Sequence, residues 1–222
     1  MNPMSGRVKR PYRSALRDQS AQVTRQRVRA AAAELFVEQG FVATTMKQVA
    51  DRAGVAERTV YTAFPTKAQL FLEVVGVATV GDDRPVPVAE REEVRAALAE
   101  PDGRRALELV VDYSVAIHER AADLIMAGEL SSGADPDMRR FSEEGAAAMA
   151  SDVGLFARAL AERGTLVPGV DAGRATDVLF TLLSPHVHHL LRRLRGWTLE
   201  QYRDWVLETL VTQLLISPDA DG

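Results

Sequence analysis

The stretch from Thr45 to Pro65, TMKQVADRAGVAERTVYTAFP, leaves the chain little freedom, because it must start and stop two helices in quick succession. Thr45-x-x-Gln48 is a capping box, in which a hydroxyl and an amide satisfy two N–H groups that a helix start leaves orphaned. Gly54 supplies the left-handed stop. A second helix over about 57–63 is then halted by Pro65. Helices this short are marginal alone and need a neighbour to pack on. The preceding residues provide one: Val28, Ala32, Leu35 and Phe36 form an i, i+4, i+7, i+8 stripe on a helix over about 22–39, closed by Gly40. Two short helices joined by a glycine turn and packed on a longer one make a helix-turn-helix. Met46, Val49, Ala50, Val55, Val60 and Phe64 are its expected core. Glu57, Arg58, Thr59, Thr62 and Ala63 are then left outside.

The rest of the chain carries the 3.6-residue period of helices and little strand-like alternation. The class is all-α. Residues 1–20 read as a disordered basic tail, and 21–80 as a DNA-binding domain of helix-turn-helix type. A fourth helix opens at the box Thr66-x-x-Gln69 and runs to about Val80. GDDRPVPVAERE follows as a Gly/Pro/charge-rich linker and the expected domain boundary. Residues 81–222 form a larger helical domain. Its predicted helices include one carrying Leu107 to Ile125, one over about 137–163, and one over about 172–195 kinked at Pro185. The last opens at the box Thr198-x-x-Gln201, with Trp197 stapled onto Tyr202.

The 222 residues suffice for a sizeable core, and there is no cysteine, which excludes disulfides, thiolate metal sites and cysteine nucleophiles. No apolar run reaches membrane-span length, and the polar, basic start lacks the apolar segment of a secretory signal, so a soluble cytoplasmic protein is expected. The net charge of −4 is divided unevenly: residues 1–80 carry twelve Lys/Arg against six Asp/Glu, and the remainder fifteen against twenty-five. A basic head on an acidic body fits a molecule that meets a polyanion at one end. A merely solvated basic tail is the alternative, since five of those basic residues precede Ser20.

In a helix-turn-helix the start of the second helix enters the major groove. Arg58 there can pair with guanine in bidentate fashion, and Thr59 and Thr62 can bond a base edge or phosphate. Tyr61 reads as a phenol reaching a phosphate. Thr45 and Lys67 stand at helix N-termini, where N–H groups and the helix dipole favour a phosphate. The segment from about Arg25 to Val75 resembles the DNA-binding domain of the TetR (tetracycline repressor-like) family of bacterial transcription regulators. The resemblance is carried by Phe36, Gly40, Phe41, Thr44, Thr45, Val49, Ala50, Ala53, Gly54, Val55, Thr59, Tyr61, Phe64, Lys67 and Leu70. It implies a dimer, double-stranded DNA with an inverted-repeat operator as partner, and a C-terminal domain whose small-molecule ligand lowers operator affinity. Thr44 joins the DNA-contacting set on this ground. Ala56 departs from the pattern where a serine commonly caps the recognition helix, and Thr62 and Ala63 replace an aromatic residue and a histidine. Arg7, Lys9, Arg10, Arg13 and Arg17 could compensate as a minor-groove arm; a merely disordered tail is the plainer reading.

In the larger domain, Tyr113, Ile117, Met149, Phe156 and Leu183 can line a cavity between the central helices, with His186 as a hydrogen-bonding group. Their apolar character suggests a small hydrophobic effector; ordinary core is an equal account of each. The last two predicted helices are apolar around much of their girth, which points to a homodimer joined through a four-helix bundle. Leu179, Val187, Leu190, Leu194, Val206 and Leu210 are its expected interface. No nucleophile, acid–base pair, phosphate-cradling loop or zinc signature is present, and four histidines make a poor metal set. Neither catalysis nor a cofactor is expected. A ligand-responsive repressor is the leading expectation. The alternatives are a ligand-independent DNA-binding regulator controlled by a protein partner and, more remotely, a small helical enzyme.

Overall fold

The computed structural model describes residues 12–81 and 90–216. The helices are α1 (Tyr12–Ala43), α2 (Met46–Ala53), α3 (Glu57–Ala63), α4 (Lys67–Val80), α5 (Glu92–Ala99), α6 (Gly103–Glu129), α7 (Pro136–Glu162), α8 (Ala172–Leu182), α9 (Pro185–His188) and α10 (Leu199–Leu214), with a π-helical segment His189–Leu194 after α9. None of the described helices is long and apolar enough to cross a membrane.

The sequence stripe of α1 becomes the wall of an N-terminal core: Val28, Ala32, Leu35 and Phe36 are buried against Met46, Val49, Val60, Phe64 and Phe71. Phe36, Phe41 and Phe71 meet with ring centroids 5.1–5.8 Å apart, two of the three contacts edge-on, the arrangement favoured by aromatic quadrupoles. α1 starts at Tyr12, so residues 12–20, expected as tail, are helical in backbone; nothing between Pro11 and Gly40 breaks a helix. Its helical geometry is interrupted at Gly40, the expected stop. Arg7, Lys9 and Arg10 lie outside the described residues, as does most of the linker.

Beyond the linker, α5 is a helix not expected from the sequence. It is two turns long, and only Val94 and Ala97 mark its buried face, too little for a period to show. α6 and α7 are the long members, each of 27 residues and therefore about 40 Å in length. The turn at 131–135 folds α7 back along α6, with Asp135 capping α7 through Asp137 N and Met138 N. Both also reach the other core: Leu124 of α6 and Met138 of α7 pack in the N-terminal cluster.

The C-terminal region departs most from expectation. Instead of one kinked helix over 172–195, α8 ends at Leu182, and Ser184 caps a new helix that has Pro185 in its first turn. The wider π-helical turn then changes the side-chain register. Leu190 and Leu194 are consequently exposed, at 53% and 66%, although they fall on the same apolar stripe as buried Leu179 and Leu183. Leu179, Val206 and Leu210 are each at 0% exposure within a single chain, where α6, α8 and α10 pack together. The expectation that these three form the subunit interface is therefore corrected: their partners are inside the subunit. Trp197 meets the edge of Trp205 at 5.8 Å, not Tyr202, which is drawn inward against His188 at 5.2 Å.

Candidate functional site

Two sites share one packed system. The first is built on α2 and α3. Thr45 caps α2 with both halves of the capping box formed, and Gly54 ends it at φ 64°, ψ 41°, a conformation natural to glycine. Arg27 of α1 donates to the carbonyl of Ala53 at 2.6 Å, fixing the turn from behind. Arg52 is held by Glu34 and Glu38 at 3.0 and 2.9 Å. α3 is thus presented on a braced scaffold.

On α3, Val60 is the buried residue, while Glu57, Arg58, Tyr61 and Thr62 are exposed and Thr59 is half-buried. Ala63, expected outside, is half-buried and packs against the core. Arg58 engages no other side chain among the described residues and projects free from the start of the helix. Thr62 donates its hydroxyl to the carbonyl of Arg58 at 2.8 Å, so it retains only acceptor capacity and a methyl group for a partner. Ala56 holds the N-cap position of α3 without any side-chain hydrogen bond.

Two of the expected contacts are corrected. Thr44 is buried, and its hydroxyl bonds to the carbonyls of Gly40 and Leu35 at 2.8 and 3.2 Å. Lys67 directs Nζ to the carbonyls of Phe41, Thr44 and Val42 at 2.7, 2.9 and 3.3 Å and lies 4.2 Å above the Phe41 ring. An ammonium has three donors, so none remains for a phosphate. Burial also lowers its pKa. Both residues hold the turn before α2. Thr45 remains exposed, with its hydroxyl shared with Gln48.

The second site is a cavity of about 930 Å³ between α4, α6, α7 and the α8–α9 break. Tyr113, Ile117, Met149, Phe156, Leu183 and His186 all line it. Sequence reasoning missed two lining carboxylates, Glu129 and Asp152. Glu129 is raised in pKa by burial and meets His186 Nε2 at 2.6 Å. Asp152 is raised by burial, with no charged neighbour among the described residues compensating. Burial also raises the Tyr113 phenol. His118, buried beside the cavity, is pushed down to about 3 by burial and by His188, 5.5 Å away between ring centroids. A signal for Asp152 existed in its spacing: Met149, Asp152 and Phe156 follow i, i+3, i+7, the spacing of one helical face.

The two sites touch. Val75 and Thr79 of α4 line the cavity, as does Phe141 of α7. Phe141 packs edge-on against Phe71 at 5.3 Å, and Phe71 belongs to the aromatic cluster behind the helix-turn-helix. Gly128 of α6 lets both rings approach, since a Cβ there would lie 2.7 Å from Phe141 and 2.8 Å from Phe71. Arg120 of α6 fastens the end of α4 by donating to the carbonyls of Ala78 and Thr79, both at 3.1 Å.

Residues 28–74 match the family described as bacterial regulatory proteins, tetR family. No curated protein matches the chain. Several solved structures share its fold. Native NalD, the secondary repressor of the MexAB-OprM multidrug efflux pump in Pseudomonas aeruginosa, is 23% identical over 91% of this chain and 100% of its own, with a TM-score of 0.66. A transcriptional regulator from Saccharomonospora viridis in complex with choline is 16% identical over 88% of this chain and 100% of its own, with a TM-score of 0.66. FadR from Bacillus subtilis in complex with stearoyl-CoA is 19% identical over 84% and 97%, with a TM-score of 0.66.

Proposed function

We propose, from the premise that residues 28–74 belong to the tetR family of bacterial regulatory proteins, that this protein is a dimeric transcription repressor released from an inverted-repeat operator by a small molecule. The observation that carries the ligand-responsive part is the shared wall. α4 contributes Phe71 to the core behind α3 and Val75 and Thr79 to the cavity. A ligand that displaces this wall must also displace the platform of the recognition helix.

Two recognition helices must lie about 34–36 Å apart to engage successive half-sites. A ligand preferring another spacing weakens operator binding, and the operator weakens ligand binding by the same factor. The cavity favours this reading over a ligand-independent regulator, which would have a fully packed C-terminal core. Arg58 is assigned direct base contact, with Thr59, Thr62 and Tyr61 completing the face and Thr45 beside it. Leu190, Leu194, Leu199 and Trp205, exposed on the π-helical segment and α10, form the revised dimer face.

Titration of the purified protein against DNA from around its own gene tests the assignment. Arg58→Ala should cost about 1–3 kcal/mol and relax sequence preference. Tyr61→Phe, which removes one hydroxyl, should weaken all sequences alike, by roughly a few fold. If neither changes affinity or preference, α3 is not the recognition helix.

A further inference from the structure

The charge of the cavity narrows the chemistry of its ligand. Among the described residues its lining contains two carboxylates, Glu129 and Asp152, and no lysine or arginine. The two histidines do not restore the balance. His118 is held neutral by burial, and His186 already faces Glu129. Two guanidinium groups lie close enough to act on Tyr113, but both are turned to the end of α4: Arg91 towards Val80 O, Arg120 towards Ala78 O and Thr79 O.

The acids are differently placed. Glu129 closes α6, sixteen residues beyond Tyr113, which is about 24 Å along the helix. Asp152 lines the same cavity near enough to Tyr113 to act on its phenol, which burial chiefly pushes up, so the cavity is long and has a carboxylate towards each end. Glu129 has a partner in His186. Asp152 has no hydrogen-bond or ion-pair partner among the described residues, although it is half-buried. A half-buried carboxylate without a cation is an unfavourable arrangement that a positive ligand relieves and a negative one aggravates. Phe156, one turn along α7, and Tyr113 also line the cavity and bring to it aromatic rings, which attract a cation. The remaining wall is apolar, with Ile117, Met149 and Leu183 among its members.

We propose that the cavity selects an apolar organic cation, with an ammonium seated against Asp152 beside Tyr113 and Phe156 and a hydrocarbon or aromatic body along the rest of its length. This rests on the reading of the cavity as the effector site. It goes beyond that reading by assigning the charge, the chemical class and the residue that recognises it.

The test uses three probes of one chain length and different charge: decyltrimethylammonium, 1-decanol and decyl sulfate. Calorimetric titration into the full-length protein, below micellar concentrations, should show the cation binding at least about tenfold tighter than the alcohol, and the sulfate weakest. Asp152→Asn should reduce the preference for the cation over the alcohol to within about threefold. Affinity for 1-decanol should be unchanged in that variant, which also verifies that its cavity is intact. Glu129→Gln should retain most of the preference.

Alcohol or sulfate binding as well as the cation would overturn the charge assignment and leave the cavity a ligand site. A preference that survives Asp152→Asn, or vanishes only with Glu129→Gln, would overturn the assigned seat. Absence of binding by all three would overturn both proposals. Cation binding that leaves DNA affinity unchanged would uphold the cavity chemistry and sink the ligand-responsive repressor.

Discussion

A lysine at the start of a helix after a DNA-reading motif has two uses for its charge, and geometry decides between them. Lys67 Nζ is directed to three backbone carbonyls, those of Phe41, Val42 and Thr44, which the turn before α2 leaves without helical partners. Removing the ammonium would strand these acceptors in a half-buried place. Lys67→Met should therefore lower stability by about 1–3 kcal/mol, read from denaturant titration. The salt dependence of DNA binding should keep its slope, because no phosphate contact is lost. A slope reduced by about one, with stability unchanged, would return Lys67 to the phosphate backbone. The sequence placed this residue at a helix N-terminus correctly, but position along the chain does not reveal which way a four-carbon stem turns. Thr44, expected at the DNA, is turned inward in the same way, its hydroxyl being used on Gly40 and Leu35. Arg58 was legible because Val60 and Phe64 fix the core side and leave it nowhere else to go.

Among the elements, α3 is the one least supported by its own sequence. It has seven residues, a single buried side chain and an N-cap alanine that offers no side-chain hydrogen bond. By contrast, α2 and α10 have complete capping boxes, and these were the features most readable from sequence, because capping is local chemistry. Ala56 already has the extended backbone an N-cap requires, at φ −68° and ψ 143°. Ala56→Ser should then add about 0.5–2 kcal/mol of stability, seen as a higher Tm, by giving the N–H groups of the first turn a side-chain acceptor. A Tm that does not rise would mean that packing by Val60 and Phe64, not capping, limits this helix. The elements hardest to read were those where hydrogen bonding changes register. The π-helical segment His189–Leu194 cannot be distinguished from ordinary helix by apolar spacing, so one stripe of leucines hid two different fates.

At the scale of the whole molecule, that divided stripe bears on assembly. Leu179, Val206 and Leu210 complete the core of the subunit, whereas Leu190, Leu194, Leu199 and Trp205 remain at the surface. Exposed large apolar side chains gathered in one region mark a contact surface more often than isolated ones do. The face lies on α10 and the segment before it, and α10 packs on α6 and α8, the elements around the cavity. A dimer formed there would make the distance between two α3 helices depend on how α6 and α7 sit on α4, which is the route open to a ligand. Leu190→Glu combined with Leu194→Glu places like charges on both sides of a two-fold contact. Both side chains are already more than half exposed, so the isolated fold should survive, with helical content unchanged by circular dichroism. In sedimentation the parent protein should run as a dimer and the double variant as a monomer. Operator affinity should fall sharply, because one recognition helix cannot hold two half-sites. A double variant that remains dimeric would move the interface to another face and remove the link drawn here between cavity and operator spacing.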